Sequence, residues 1–356
     1  MQTKTNCILA GVFSSPGSVC EEELSLNELS RLADTLGCTV KQQILCRCAF
    51  INPATYISSG NIAKIKKIID ETPAIVIFNL ELTPSQINKL GQALETEVLT
   101  RTDVIIKIFN LHARSHEAKL QVSLAEMQME MSRLKGKWTH FSRIEGGIGF
   151  RGPGQKQITL DRMLIKKEMT KIRKKLSEIE TSGHIQSRKR RMEKNIAVLG
   201  YTNAGKSTLI TALSRKPAVS ADQLFTTLDV LSRKVYIDGE NYIISDTVGF
   251  IDRLPHYLVA SFRSTLQEIK NADLLLIVLD AADPGASRHL ETISKTLQEM
   301  EIPENKRLLV INKIDTAPPD QTIVLRLLDN SICVSARKQI NLEELKIKIR
   351  NFFHAA

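Results

Sequence analysis

A phosphate-binding motif lies in the second half of the chain. Residues 200–208 read Gly-Tyr-Thr-Asn-Ala-Gly-Lys-Ser-Thr, after the apolar run 195–199 and before the apolar stretch 209–213. A strand, a glycine-rich loop and a helix in this order form a P-loop, whose amides and helix N-terminus face phosphate groups. Lys206 can supply charge near the β and γ phosphates, and the Ser207 hydroxyl can hold magnesium. The motif predicts nucleoside triphosphate binding but does not separate ATP from GTP.

Three further motifs each follow a predicted strand. In Asp246-Thr247-Val248-Gly249, the carboxylate can reach magnesium and the glycine amide can approach the γ-phosphate. In Asn312-Lys313-Ile314-Asp315, Asp315 can accept hydrogen bonds from N1 and N2 of guanine, donors that adenine lacks. In Ser335-Ala336, a backbone amide can meet guanine O6. Their order and spacing are typical of GTPases, so we predict GTP as the substrate.

The catalytic assignment is Lys206, Thr227, Asp246 and Gly249, and the magnesium ligands are expected to be Ser207, Thr227 and Asp246. GTPases need a threonine between the P-loop and the Asp-x-x-Gly motif, in a loop that closes on magnesium, and Thr227 is preferred to Thr226 for this role. The expected GTP contacts are Gly200, Tyr201, Thr202, Asn203, Ala204, Gly205, Lys206, Ser207, Thr208, Phe225, Thr226, Thr227, Leu228, Asp229, Asp246, Thr247, Val248, Gly249, Asn312, Lys313, Ile314, Asp315, Val334, Ser335 and Ala336.

Phe250 departs from the Ras-like pattern. Ras-like GTPases carry a water-orienting glutamine directly after the glycine of Asp-x-x-Gly, whereas phenylalanine can neither donate nor accept a hydrogen bond. Either the attacking water is ordered by other groups, including a partner surface, or Phe250 is a packing residue. Both interpretations predict slow intrinsic hydrolysis.

Composition and charge set the class of protein. The chain has 356 residues, 42% hydrophobic and 25% charged, which excludes a disordered, collagen-like or membrane-embedded chain. Six scattered cysteines form no disulfide framework, so we expect a cytoplasmic protein. Of the net charge of +10, residues 107–194 contribute 21 lysines and arginines against 9 acidic residues. This concentration indicates either an RNA partner or a solvated, lysine-rich helix surface.

The first hundred residues alternate β-rich runs with amphipathic stretches. Helices are expected to start near Glu22, Gly60 and Pro84, and Cys7–Phe13 is interpreted as a first strand rather than a signal peptide. Strands that alternate with helices favour parallel pairing. We therefore predict a parallel α/β domain. Its expected strands are Cys7–Phe13, Thr39–Cys48, Ala74–Phe78 and Val98–Ile106.

The basic segment has two runs of apolar residues with a 3.5-residue period, which predicts two helices that fold into an antiparallel hairpin. Between them, Gly136–Gln155 is expected to be a glycine-rich loop, either an RNA contact or a flexible tip. Thr181–Lys194 is expected to be a solvated linker. The candidate RNA-binding residues are Trp138, Arg143, Arg151 and Lys156. The apolar positions are Leu120, Leu124, Met127, Met131, Leu134, Ile165, Met169, Ile172, Leu176 and Ile179.

With these motifs in view, the sequence resembles the HflX family of GTPases over nearly its whole length. The similar segments include Asn79–Gln86, Ala113–Val122, the glycine-rich Gly146–Gly154 and Leu224–Asp229. The resemblance implies a bacterial-type, cytoplasmic, magnesium-dependent GTPase that binds the large ribosomal subunit and its rRNA. Family members are linked to splitting stalled ribosomes under stress.

The expected architecture is an N-terminal parallel α/β domain (1–110), a basic helical hairpin (111–185), a linker (186–194) and a Ras-like P-loop GTPase domain (195–356). We expect a monomer without a membrane span. Two alternatives stay open, namely a nucleotide-gated RNA-docking or ribosome-docking module with incidental turnover, and a GTPase that assembles ribosomes or modifies transfer RNA.

Overall fold

The computed structural model describes residues 5–144, 153–189, 193–214, 231–237, 239–246, 249, 268–318, 320 and 328–355. The chain divides into two compact units. One comprises Met1–Leu111 with Lys119–Ser177, and the other comprises His112–Ala118 with Glu178–Ala356. The finer division into four segments stays a prediction.

The first unit contains a parallel sheet with the strand order β2-β1-β3-β4. Its strands are β1 (Asn6–Phe13), β2 (Thr39–Arg47), β3 (Ile75–Phe78) and β4 (Val98–Thr100). Its helices are α1 (Val19–Thr35), α2 (Ser59–Glu71), α3 (Pro84–Leu94) and α4 (Arg101–His112). The predicted parallel α/β architecture is confirmed. Thr83 begins α3 with a capping box, because its hydroxyl accepts from the Gln86 amide at 3.3 Å and its own amide donates to the Gln86 side chain at 2.9 Å.

The predicted strand Val98–Ile106 is wrong after its third residue, because α4 starts at Arg101. The Thr100 amide and hydroxyl donate to Oδ2 of Asp103, at 2.8 and 2.7 Å, and the Asp103 amide donates to the Thr100 hydroxyl at 3.4 Å. These bonds satisfy donors that open a helix. The apolar residues that suggested a strand are buried along α4 instead, including Val104, Ile105 and Phe109.

Two long helices, α5 (His116–Ile144) and α6 (Pro153–Lys189), form the predicted hairpin. Leu124 and Met131 from α5 pack against Met169 and Ile172 from α6 in a buried apolar cluster. Four other residues of the predicted apolar runs are partly buried and pack against this cluster: Leu120, Met127, Ile165 and Leu176. Arg133 of α5 pairs with the buried Asp103 of α4 at 2.6 Å, and this ion pair joins the hairpin to α4 of the same unit. Within the described residues, no helix is both long and apolar enough to span a bilayer.

Both helices extend beyond their predicted ends. The loop expected at Gly136–Gln155 is helical up to Ile144 and again from Pro153, and residues 145–152 lie outside the described part of the chain. The linker expected from Thr181 continues α6 to Lys189. A single glycine costs a helix only about 1 kcal/mol, proline is favourable in a first helical turn, and lysine and arginine are good helix formers. The glycine and charge content of these segments therefore led us to predict a loop and a linker that are longer than the structure shows.

The described residues of the second unit form a six-stranded sheet in the order β10-β9-β8-β5-β7-β6, in which only the β6–β7 pair is antiparallel. Its strands are β5 (Lys194–Gly200), β6 (Leu231–Ile237), β7 (Glu240–Asp246), β8 (Leu274–Asp280), β9 (Arg307–Asn312) and β10 (Ser331–Cys333). The helices with defined bounds are α7 (Lys206–Ser214), α8 (Ala286–Glu299) and α9 (Leu342–Ala355). The predicted hairpin before Asp246 and the strands before Asn312 and Ser335 are confirmed.

Both faces of this sheet are buried. On β5, Ile196 and Val198 face a core that includes residues of α7 and α9, and Ala197 and Leu199 face a core that includes residues of α8. Because β5 and β7 to β10 point the same way, the loops that follow them meet at one edge of the sheet. This edge holds the motifs singled out in the sequence.

Candidate nucleotide-binding site

The loop between β5 and α7 is shaped by two glycines. A Cβ atom at Gly200 would lie 2.3 Å from the Val278 carbonyl oxygen, so only glycine fits against β8. At Gly205, φ is +89° and a Cβ atom would lie 2.3 Å from Nδ2 of Asn312. Both positions therefore need glycine for close backbone approach. This is the strand, loop and helix context that the P-loop assignment requires.

Lys206 is buried at the start of α7, with 7% of its surface exposed. Its ammonium donates to the carbonyl oxygens of Gly200 at 3.0 Å and Tyr201 at 2.9 Å. Burial lowers the pKa of Lys206 to about 8, against the opposing effect of the Asp246 charge. The lysine is therefore held against the loop by main-chain acceptors, with its ammonium inside the curve of the loop.

Ser207 and Asp246 form an oxygen pair next to this lysine. The Ser207 hydroxyl donates to Oδ2 of Asp246 at 2.8 Å, and Asp246 is 3% exposed at the end of β7. Hydroxyl and carboxylate oxygens are the ligands that magnesium prefers, so this pair fits the cation chemically. Among the described residues, no cluster of three or more histidine, cysteine or acidic side chains suggests another metal site.

Gly249 is brought against the P-loop. A Cβ atom there would lie 2.9 Å from Cγ2 of Thr202 and 3.0 Å from Nζ of Lys206. The structure thus places Gly249, Lys206, Ser207 and Asp246 together, as the sequence predicted. Seven other predicted contacts lie outside the described residues, together with Phe250: Phe225, Thr226, Thr227, Leu228, Asp229, Thr247 and Val248.

Asn312 connects the phosphate side of the site to its base side. Its Nδ2 donates to the Ala204 carbonyl at 2.9 Å, and its Oδ1 accepts from the Ala336 amide at 3.0 Å. Asn312 is 2% exposed. The sequence identified Asn312 as part of a base-binding motif but gave no sign that its side chain bridges two loops.

Asp315 is oriented by two groups from the loop after β10. The Ser335 hydroxyl donates to its Oδ1 at 2.7 Å, and Nζ of Lys338 lies 3.7 Å from its Oδ2. The hydrogen bond from Ser335 is the main cause that lowers the pKa of Asp315, and Lys338 adds to it. Asp315 is therefore an ionised acceptor at neutral pH. Sequence reasoning named Ser335 only for its backbone and did not identify Lys338.

Lys313 contacts the end of β8, and Tyr201 contacts the start of α8. Lys313, at φ +63°, pairs with Asp280 at 2.7 Å, and the Tyr201 ring stacks on His289 with centroids 3.6 Å apart. Sequence reasoning identified neither Asp280 nor His289, because no motif marks them. Of the other predicted contacts, Thr202 and Asn203 lie in the loop after β5, Thr208 lies in the first turn of α7, Ile314 follows β9 and Val334 follows β10.

The candidate RNA-binding residues are not tested by this geometry. Trp138 and Arg143 fall within α5, and Lys156 falls within α6. The side chains of these three residues, and Arg151 as a whole, lie outside the described part of the structure.

Three protein-family models match consecutive parts of the chain. The model described as the N-terminal region of a GTP-binding GTPase matches residues 23–110, and the corresponding middle region matches residues 112–191. The model described as a 50S ribosome-binding GTPase matches residues 195–313, which include the P-loop, Asp246 and the first two residues of the Asn312 motif.

Curated relatives match over most of the chain. GTPase HflX of Caldanaerobacter subterraneus subsp. tengcongensis is 40% identical over 346 residues, covering 96% of this chain and 79% of that protein. GTPase HflX of Escherichia coli is 39% identical over 295 residues, covering 82% and 69%. A GTP-binding protein of Sulfolobus solfataricus, solved with GDP, shares the fold, with a TM-score of 0.50, 24% identity and 99% coverage of both chains. The chain belongs to the HflX family of GTPases, enzymes that bind and hydrolyse GTP.

Proposed function

We propose that the chain couples its GTPase cycle to association with the large ribosomal subunit, and that it splits or rescues stalled ribosomes in the cytoplasm under stress. The observation that carries this proposal is the excess of basic residues in 107–194, 21 against 9 acidic, on a chain that also holds a P-loop. Neutralising phosphates of rRNA would release condensed counterions, which favours binding. The match of residues 195–313 to a 50S ribosome-binding GTPase model supports the same partner.

In this proposal the loop 200–205 and the α7 N-terminus cradle the phosphates. Lys206 exchanges its bonds to the Gly200 and Tyr201 carbonyls for phosphate oxygens, close to its present position. Ser207, Asp246 and Thr227 would hold magnesium, which when bound would supply positive charge against the charge that develops on the phosphates. The Gly249 amide donates to the γ-phosphate.

Base selectivity rests on Asp315. Its Oδ1 and Oδ2 can accept from the N1 and N2 donors of guanine, and the Ser335 hydroxyl at 2.7 Å keeps the carboxylate ionised and fixed. Adenine lacks these donors and would leave the carboxylate unsatisfied. The Ala336 amide donates to Asn312 at 3.0 Å, so guanine O6 would have to share or replace that bond.

Hydrolysis is proposed to be slow without a partner. Phe250 occupies the position of the water-orienting glutamine, so Lys206, magnesium and the closed loops must position the reactants, and the ribosome orders the water. The triphosphate orders the loops at Thr227 and Gly249, this form binds the ribosome, and hydrolysis releases it. Such a switch requires that the GTP and GDP forms differ in ribosome affinity.

The hairpin is proposed to be the rRNA-binding element, acting in a monomer. Arg143, Arg151 and Lys156 supply charge near its tip, and Trp138 can stack on a base. Co-sedimentation with purified large subunits tests the proposal with GTP, GDP and a non-hydrolysable analogue. Stronger pelleting with GTP and the analogue than with GDP is expected. Equal pelleting in all three would refute nucleotide-controlled binding.

Phe250 also favours a second candidate function, a docking module with incidental turnover. Phosphate release with and without large subunits separates the two candidates, because an active ribosome factor should be accelerated and a passive module should not. Preferential binding to immature subunits would instead indicate a GTPase of ribosome assembly. The Lys206→Ala variant is the control for nucleotide dependence in each assay.

A further inference from the structure

An aromatic stack joins the P-loop to α8. The rings of Tyr201 and His289 lie 3.6 Å apart between centroids, with 15° between their planes. Tyr201 is 4% exposed and belongs to the apolar core on this face of the sheet. His289 lies in the first turn of α8. The stack therefore fixes the second residue of the phosphate-binding loop against a helix that carries none of the GTPase motifs.

The imidazole is itself held in place from the loop before α8. Oδ2 of Asp283 lies 3.4 Å from Nδ1 of His289, and Oδ1 of Asp283 accepts from the Gly285 amide at 2.8 Å. The His289 amide donates to the Gly285 carbonyl at 2.9 Å. The imidazole is thus positioned by its contact with Asp283 and by the backbone hydrogen bond at the start of α8. Tyr201 therefore stacks on a ring whose position is fixed.

The backbone of Tyr201 takes part directly in the loop that holds Lys206. Its carbonyl accepts from the Lys206 ammonium at 2.9 Å and from the Ala204 amide at 3.2 Å. A shift of Tyr201 would therefore move an acceptor of the phosphate-binding lysine and open the turn of the loop. The same segment reaches the base side, because Asp280 pairs with Lys313 at 2.7 Å.

We propose that His289 is a positioning residue for the nucleotide. By stacking on Tyr201 it holds the P-loop in the shape that receives phosphates, and residues 280–289 act as a bracket between the phosphate loop and the base loop. This role rests on the proposed assignment of the P-loop as the GTP site. In this role His289 acts through Tyr201 and takes no part in the chemical step.

The test compares nucleotide affinity in three variants of the full chain. His289→Ala should weaken binding of a fluorescent GDP by roughly threefold to tenfold, the range that corresponds to loss of an aromatic pair. It should raise KM for GTP and leave kcat unchanged, because the shape of the loop supports the bound substrate and the transition state equally. His289→Phe keeps an aromatic face for Tyr201 and should restore the affinity.

Leu297→Val is the matched control, because Leu297 is buried in the same helix, about two turns beyond His289. It should lower the thermal midpoint and leave GDP affinity unchanged. Unchanged affinity in His289→Ala, or failure of His289→Phe to restore it, would overturn the positioning role. Lys206→Ala separates the two levels of inference: if it also binds GDP normally, the P-loop assignment itself fails.

Discussion

Substitution of Gly205 by alanine should disrupt both sides of the nucleotide site at once. At φ +89°, a residue with a Cβ atom is strained by about 1–2 kcal/mol. The new Cβ would also lie 2.3 Å from Nδ2 of Asn312 and force that side chain to move. Asn312 would then lose one or both of its bonds to Ala204 and Ala336, each contributing about 0.5–1.5 kcal/mol. We expect the free energy of unfolding to fall by about 2–4 kcal/mol.

Gly239 provides the matched control in the same unit. Its φ is +95°, but among the described residues a Cβ atom there would meet only the Tyr236 hydroxyl, at 4.0 Å. Gly239→Ala should therefore cost only the backbone strain, about 1–2 kcal/mol. Replacement of glycine by alanine also lowers the conformational entropy of the unfolded chain, which stabilises the folded protein. This effect is the same in both variants and cancels when they are compared.

Urea unfolding without nucleotide, followed by circular dichroism, measures the difference between the two variants. Competition of guanine and adenine nucleotides measures the effect on the base side, where Gly205→Ala should reduce selectivity because Ala336 is released. Equal loss of stability in Gly205→Ala and Gly239→Ala would refute the argument, since the contact with Asn312 would then contribute nothing.

Three other changes test separate parts of the molecule. Asp315→Asn should weaken GTP binding by about 1–3 kcal/mol and admit other purine nucleotides, and unchanged selectivity in a competition assay would contradict the guanine assignment. Combined Arg143→Ala and Arg151→Ala should weaken ribosome pelleting and flatten its dependence on salt while GDP affinity stays constant; an unaltered salt slope would exclude these residues as RNA contacts. Burial raises the pKa of Glu81 above 4.5, so its contribution to stability is present at low pH and is lost as pH rises through the raised value. Glu81→Gln should remove that loss, so its free energy of unfolding should depend less on pH between about pH 4 and 7 than that of the unchanged protein. The same pH dependence in both proteins would contradict the prediction.

The sequence was most informative where short-range pattern determines structure. The P-loop could be placed because an apolar strand, two glycines and a helix are contiguous, and the hairpin could be placed because its apolar stripes repeat every 3.5 residues. The run Val98–Ile106 was misjudged because apolar residues suit either a strand or a buried helix. The Thr100–Asp103 capping box decided between them.

Contacts between distant loops could not be predicted. Asn312 and Ala204 are 108 residues apart, and their hydrogen bond depends on the order of the sheet, in which β8 lies between β9 and β5. His289 belongs to an ordinary amphipathic helix, and only the folded arrangement puts its ring on Tyr201. The motifs therefore predicted which residues bind the nucleotide, and the tertiary structure shows which other residues contact them.

The position of the Lys206 ammonium without nucleotide has a consequence for the rate of nucleotide binding. Because Gly200 and Tyr201 already solvate this cation with their main-chain oxygens, its water shell was shed when the domain folded. In the proposed mode of binding, an arriving triphosphate has only to replace these two main-chain acceptors over a short distance. We expect the ammonium to return to the same two oxygens when the diphosphate leaves, so that the loop keeps its shape between turnovers.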